Sequence, residues 1–405
     1  MKVVFLAPNY PPEMRQYTRG LVEVGATVYG VGDTPAAQLH PSVRGYLSDY
    51  LQVPNIMDEL DVTNRVHAWM RGREVDRVLA NWEVLVLTAA RIRERFGLPG
   101  MSRDTVMGFR DKAIMKDRAR LQGVRTPRSA RVRTVAEVHR AAAEIGYPLV
   151  LKPIAGAGSA DTWRVDNAVE LERVIEAMRR VEEASCEEFI EGEEFTFDTV
   201  CIDGRPAYTN IAQYLPPPII ARSVESVSPV IITVRDMEQE RLQAGVKLGH
   251  QVLGALGMGT GFTHMEWFRK PDGTAVFGEI GCRPGGAHIV DQMNYTSDID
   301  LFREWARVSC WNTFQAPTVR KYNVAIVFKR AIGQGRITAI RGLHEFMREY
   351  GDHVVEQHLL PIGTPRRNWK QTLTSDGHLM IRHPDWETTR RIAEAAAEEV
   401  TLYAG

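Results

Sequence analysis

The chain has 405 residues, 44% of them hydrophobic and 25% charged, with a net charge of −1. That length holds two to four domains, and the balanced charge removes any electrostatic case for nucleic acid as the main partner. No apolar run approaches the roughly 18 residues of a membrane span, and the four cysteines form neither a CxxC pair nor a zinc spacing. A reducing, cytoplasmic setting is expected, with neither membrane nor nucleic acid as partner.

The first segment, KVVFLAP (2–8), reads as a buried strand rather than a signal peptide. After a helix-like stretch comes a second strand, ATVYGVGD (26–33), then VDRVLAN (75–81) and the helical VLVLTAARIRERFG (84–97). Strands alternating with helices predict a parallel sheet. No GxGxxG follows the first strand, so a dinucleotide fingerprint is absent and a dehydrogenase is excluded.

From about Met107 a helix pattern runs to Arg120, closed by QGVRTPRS (122–129). Its Arg/Lys cluster, RDKAIMKDRAR (110–120), reads as a solvated face, and Lys112 alone as a surface lysine. The amphipathic TVAEVHRAAAEIG (134–146) precedes a short strand, YPLVLKP (147–153), that ends in Lys152. A glycine-rich loop, IAGAGSAD (154–161), follows. Such glycines let backbone N–H groups approach a phosphate, and a lysine at the edge adds a point charge. No GK[ST] closes the loop, so it is not a Walker A motif. The strand TWRV (162–165) and a helix, NAVELERVIEAMRRVEE (167–183), come next.

The stretch SCEEFIEGEEFTFDTVCIDGRPAY (185–208) reads as two strands joined by an Asp-Gly turn, and 239–257 as a helix. GFTHMEWFRKPDGTAVFGEIG (261–281) is a hairpin ending in E-x-G-x-R-P-G-G (279–286). The turn decides whether its two glutamates meet. A two- or four-residue loop sets Glu266 opposite Glu279, whereas a three-residue loop with a glycine bulge puts them on opposite faces. Facing carboxylates call for a cation, and oxygen ligands with room for phosphates suit Mg²⁺. Beyond about Val319, a strand (YNVAIVFKR) and a final helix (385–400) close the chain. No internal repeat stands out.

The order of these pieces carries more than any one of them. Asp111-Lys112, then the strand ending in Lys152 with its glycine loop, then EEFIEGEEFTFD (187–198), then Glu266, then E-x-G-x-R-P-G-G resembles the ATP-grasp superfamily over roughly residues 1–320. Within it, the carboxylate–amine ligases are the nearest type: L-amino-acid ligases, D-alanine–D-alanine ligase and the biotin carboxylase and purine branches. The resemblance implies an α/β fold with a Rossmann-like N-terminal domain (1–108), a lid (109–190), a catalytic domain with an antiparallel sheet (191–320) and a C-terminal extension (321–405). The extension is expected to cover the site or to form a homodimer surface.

The resemblance implies ATP as co-substrate and Mg²⁺, or Mn²⁺ in its place, as the metal. Lys112 and Lys152 match phosphate-contacting lysines, and Gly156, Gly158 and Ser159 the lid loop, whose closure would exclude water. Glu188, Phe189 and Ile190 match the adenine hinge, Glu194 the ribose acid, and Glu266 and Glu279 the metal acids. Arg283 matches the arginine that steadies the transferred phosphate or acyl intermediate. Gly281 stands where the family often has an asparagine ligand, and His264 where dipeptide ligases often have arginine. His264 is then a donor to an oxyanion or a packed ring. The implied reaction joins a small carboxylate and a small amine through an acyl phosphate. The alternatives are a carboxylase or formyl transferase, and a nucleotide-binding module without catalysis. For the substrates, Arg222 and Glu225 in the 212–229 segment are candidates for reading a carboxylate and an amine, or are exposed loop charges. Gly285, Gly286 and His288 are further candidate contacts.

Overall fold

The computed structural model describes residues 1–154, 162–372 and 374–405. Strands β1 (Lys2–Leu6), β2 (Thr27–Gly32), β3 (Leu47–Gln52) and β4 (Arg77–Leu79) form a parallel sheet in the order β3-β2-β1-β4. Val3, Val4, Phe5 and Leu6 are fully buried, as befits a central parallel strand covered on both faces. Helix Met14–Glu23 lies against helix Leu301–Trp311 so closely that a Cβ on Gly20 would sit 2.6 Å from the Phe302 carbonyl oxygen.

The helix expected over 107–120 is two helices, Arg103–Gly108 and Lys112–Leu121. Asp111 breaks the run: its side chain accepts from the Ala113 and Ile114 N–H groups as an N-cap. Next come β5 (Ser129–Val132), β6 (Leu149–Pro153), β7 (Trp163–Val165) and β8 (Ala184–Glu188), an antiparallel sheet in the order β5-β8-β6-β7. Helices Val135–Ile145 and Ala168–Ala177 cover it, the first started by a capping box of Thr134 and Glu137. The 185–208 stretch holds parts of three strands, not two, because Glu191-Gly192 separates β8 from β9 (Glu193–Ile202) before the Asp203-Gly204 turn leads into β10 (Arg205–Asn210).

The large sheet adds β11 (Ala212–Leu215), β12 (Val230–Thr233), β13 (Gly261–Arg269), β14 (Ala275–Gly281) and β15 (Asn323–Phe328). The region after Lys321 is woven into it. Besides β15 it supplies β18 (Val354–Leu359) and β19 (Gly377–His383), giving the order β14-β13-β9-β11-β12-β15-β19-β18 with β10 beside β9. Three further strands, β16 (Ile332–Gly333), β17 (Ile337–Arg341) and β20 (Thr401–Ala404), make a small separate sheet. One face of β9, β13 and β14 packs Phe195, Phe197, Met265, Trp267, Phe277 and Ile280 into a core under helix Glu240–Leu256. The opposite face holds the candidate site. No helix among the described residues is long and apolar enough to cross a membrane.

Candidate active site

Alternation along β9 sends Glu194, Thr196 and Asp198 to the face away from that core. Across the ladder Asp198 pairs in register with His264, and Thr196 with Glu266. On the next strand Glu266 stands opposite Glu279, and His264 opposite Gly281. Of the two loop parities left open by the sequence, the turn takes the odd one. The loop has three residues, Pro271–Gly273, closed by Lys270 N–H donating to the Thr274 carbonyl (3.0 Å), with Gly273 at φ +82°. That odd loop alone would split the glutamates. A bulge restores them: Trp267 pairs with Phe277 and Glu266 with Glu279, leaving Gly278 as the extra residue. A Cβ on Gly278 would lie 2.9 Å from the Glu266 carbonyl oxygen, so the close approach needs glycine.

Cations converge on this pair. Lys112 Nζ is 2.8 Å from Glu279 Oε2, and Lys152 Nζ is 3.8 Å from the same oxygen. Lys152 also lies 3.0 Å from Glu187 Oε2, and Lys116 pairs with the other Glu187 oxygen, which accepts from Ser185 Oγ as well. The result is an alternating row, buried at Lys116, Glu187 and Lys112 and half-buried at Lys152 and Glu279: Lys116, Glu187, Lys152, Glu279, Lys112. The solvated face expected at 110–120 is therefore corrected, since Lys112 is 8% exposed and Lys116 1%. Burial raises the Glu279 carboxyl, but Lys112 and Lys152 overcome it and hold the group down at about 2. Glu187 is likewise held well below the carboxylate range by Lys116 and Lys152 against its burial. Glu194 goes the other way: burial first, then the neighbouring Glu266 and Glu279, push it well above its ordinary value.

His264 is not merely packed. Its Nδ1 is 2.6 Å from Asp198 Oδ1 and its Nε2 3.8 Å from Glu266 Oε1. Burial lowers the imidazole, but Asp198 more than reverses this and raises it to about 9. Asp198 is fully buried and also accepts from Thr196 and Asn210. Tyr214 on β11 donates to Glu266 Oε1 at 3.3 Å. Arg283 donates to Glu83 Oε2 from Nε (2.8 Å) and Nη2 (2.6 Å), and to the Pro284 carbonyl. Arg110 pairs with the other Glu83 oxygen. Burial raises Glu83, and Arg283 with Arg110 bring it below its ordinary value. A Cβ on Gly281 would come 3.4 Å from the Arg283 Cγ and Nε, ordinary van der Waals contact.

Two cavities meet at Lys112, Glu266 and Glu279. The smaller, about 380 Å³, is lined by Lys152, Glu187, Phe189, Ile190 and Glu194 among others. Arg164 stacks over Phe189 at 4.3 Å. Glu188 also lines it, but its carboxylate is engaged by Arg125 at 2.9 and 3.0 Å. The larger, about 1070 Å³, has Trp82, Tyr214, His264, Arg283, Gly285 and Gly286 in its wall. Gly156, Gly158 and Ser159 lie outside the described residues.

The substrate candidates divide. Arg222 borders the larger cavity with its guanidinium donating to the Lys370 (2.7 Å) and Thr372 (3.2 Å) carbonyls. Glu225 borders neither cavity, because Arg366 draws it away at 2.7 Å. His288 borders neither as well; it turns toward Asp291 at 3.0 Å, with its ring tilted against His378. Glu225 is thus the exposed loop charge that was its alternative reading, and His288 stands one residue beyond the wall of the larger cavity. Sequence reasoning missed Glu83, Lys116, Asp198 and Tyr214, and left Glu187 without a role. Two of these had a local signal: Lys116, four residues after Lys112 and so on the same helix face, and Asp198, four after Glu194 on the same strand face.

Residues 117–293 match the family model of the ATP-grasp domain. The L-arginine-specific L-amino acid ligase of Bacillus subtilis is 24% identical over 243 residues, 58% of this chain and 58% of that protein. The alanine–anticapsin ligase of Bacillus subtilis is 25% identical over 261 residues, 58% of this chain and 54% of that protein. The chain thus spans less than two thirds of the length of these curated relatives. In fold, the L-amino acid ligase from Bacillus licheniformis superposes with a TM-score of 0.80 at 21% identity, covering 100% of this chain and 98% of the other. The N5-carboxyaminoimidazole ribonucleotide synthetase from Thermotoga maritima gives 0.74 at 17% identity, covering 100% and 99%.

Proposed function

Because the chain carries an ATP-grasp domain, we propose that it is an ADP-forming carboxylate–amine ligase acting on amino-acid-like small molecules. The observation that carries this reading is the facing Glu266–Glu279 pair, met by Lys112 and Lys152 where the two cavities join. The names of the two curated ligases support the substrate class.

The smaller cavity would take ATP, its base near Phe189 and Ile190 and its ribose near Glu194. Lys112 and Lys152 would turn from the glutamates to the phosphates. The residues fit a divalent cation: Glu266 and Glu279 offer hard oxygen ligands that face each other across the ladder. Mg²⁺ held there would supply Lewis-acid neutralisation of phosphate charge. In the larger cavity, a substrate carboxylate oxygen attacks the γ-phosphorus. A new P–O bond forms, the β–γ bridge breaks, and ADP leaves. The amine nitrogen then attacks the acyl carbon, inorganic phosphate departs, and the nitrogen loses a proton.

His264, raised to about 9, is an imidazolium at neutral pH and so serves as a donor toward an oxyanion, not as a base. Glu83 positions Arg283 for the same developing charge. The four cysteines are free thiols, which supports a cytoplasmic setting.

The deciding measurement is ADP and phosphate release with Mg²⁺ across single and paired amino acids. ADP formed only with certain pairs is the expected result. ADP with bicarbonate or formate would replace the ligase by a carboxylase or formyl transferase, and AMP would remove the acyl phosphate route.

A further inference from the structure

Outside both cavities, the β18–β19 hairpin meets the turn that follows Gly285-Gly286. Three side chains converge there: His288 ahead of helix Ile289–Ser297, Glu356 on β18 and His378 on β19. Each offers a ligand atom within 4.8 Å of the other two. His378 Nε2 lies 3.0 Å from Glu356 Oε1, and the His288 and His378 ring centroids are 4.5 Å apart. His358, also on β18, stacks on His378 at 5.7 Å.

Two observations set this group apart from an ordinary polar patch. His378 is 1% exposed, and its Nδ1 has no hydrogen-bond partner. With Nε2 facing Glu356, a metal between them would take Nε2 as its ligand and leave the ring proton on Nδ1. Secondly, His288 Nδ1 lies 3.0 Å from Asp291 Oδ2. A carboxylate on one imidazole nitrogen fixes the ring and leaves the other nitrogen to bind a metal.

We propose that His288, Glu356 and His378 form a binding site for one first-row transition-metal dication of the Zn²⁺ class. Two imidazoles and a carboxylate suit Zn²⁺, Co²⁺ or Ni²⁺, whereas Mg²⁺ prefers the all-oxygen pair of Glu266 and Glu279. Ligand bonds of about 2.0–2.2 Å require the three atoms to draw closer together. His288 and Glu356 are partly exposed and have room to do so. Three protein ligands leave a coordination position for water. A bound ion would tie the β18–β19 hairpin to the turn whose Gly285 and Gly286 line the larger cavity, so its role is to position that wall.

The test uses the full chain, stripped with chelator and held in excess Mg²⁺. Zn²⁺ is titrated against a chromophoric chelator, and Co²⁺ absorption reports nitrogen ligation. One tightly held equivalent per chain is expected. His288→Ala and Glu356→Gln should each weaken it by at least the roughly 10–100-fold that loss of even an outer partner costs. Asp291→Asn should weaken it less. Circular dichroism and melting of the stripped variants, matched to the stripped parent, separate ligand loss from unfolding. The proposal falls if the parent binds no stoichiometric Zn²⁺, or if both ligand variants bind as the parent does. It also falls if Glu266→Gln, rather than His288→Ala, removes the ion, which would put it on the acidic pair.

Discussion

Lys116 and Glu187 show how far a residue's setting can depart from its composition. A lysine in an Arg/Lys-rich helix is usually solvated, yet here Lys116 is 1% and Glu187 4% exposed, joined as a pair. Glu187→Gln leaves two buried ammonium groups without their shared anion. It should cost about 3–5 kcal/mol, the scale of breaking a buried pair, read as a lowered urea midpoint. Glu279→Gln keeps the shape and removes the charge. ADP formation should fall by more than about a hundredfold, the scale of losing one electrostatic contact to a transition state, with near-unchanged circular dichroism. Normal turnover in that variant would remove Glu279 from the metal site. His264 gives a pH prediction. Its folded value, about 9, lies above the ordinary imidazole value of 6.5. Its pairing with Asp198 therefore adds stability that is full below pH 6.5 and is lost as pH rises through about 9. His264→Gln should flatten the fall in urea midpoint across that window; a parallel fall in parent and variant would assign it to other groups.

At the level of elements, strands and helices with strong local patterns were legible, including the first two strands, the helix after Thr134 and the 261–281 hairpin. Irregularities were not. The helix break at Asp111 depends on a cap that competes with an otherwise continuous apolar pattern. The turn left the facing of Glu266 and Glu279 open and only the resemblance implied it; it comes from an odd loop offset by a bulge at Gly278. Two shifts of parity cancel, and neither has a periodic signature. Gly278→Ala tests the bulge. Its Cβ would press on the Glu266 carbonyl oxygen at 2.9 Å, costing about 1–3 kcal/mol as overpacking does. Relief by losing the bulge would turn Glu279 to the other face, so ADP formation should fall along with the urea midpoint. Unchanged activity would show that the register does not depend on the glycine.

On the scale of the whole molecule, the order of motifs along the chain was readable because each is local. Contacts that close the site over long separations were not. Glu83 reaches Arg283 across 200 residues, and neither segment carries a mark of the other. The same holds for the end of the chain, expected as an appended unit, where β15, β19 and β18 instead extend the large sheet. Val324, Ile326 and Ile381 are fully buried within it. A chain stopped after Arg320 should lose cooperative unfolding, because it exposes β12 as a bare edge and opens the core beneath it. A soluble, cooperatively melting fragment would show instead that the first four-fifths folds alone.

The alternating row from Lys116 to Lys112 has a consequence for ionic strength. A nucleotide arriving at an exposed basic patch displaces mobile ions from solution, and its affinity drops steeply as salt is added. Here the counterions of the lysines are the carboxylates of Glu187 and Glu279, fixed in the protein, the first buried and the second half-buried. Nucleotide binding would then be an exchange of partners inside the protein, releasing few ions to solvent, and its dissociation constant should change little as salt rises.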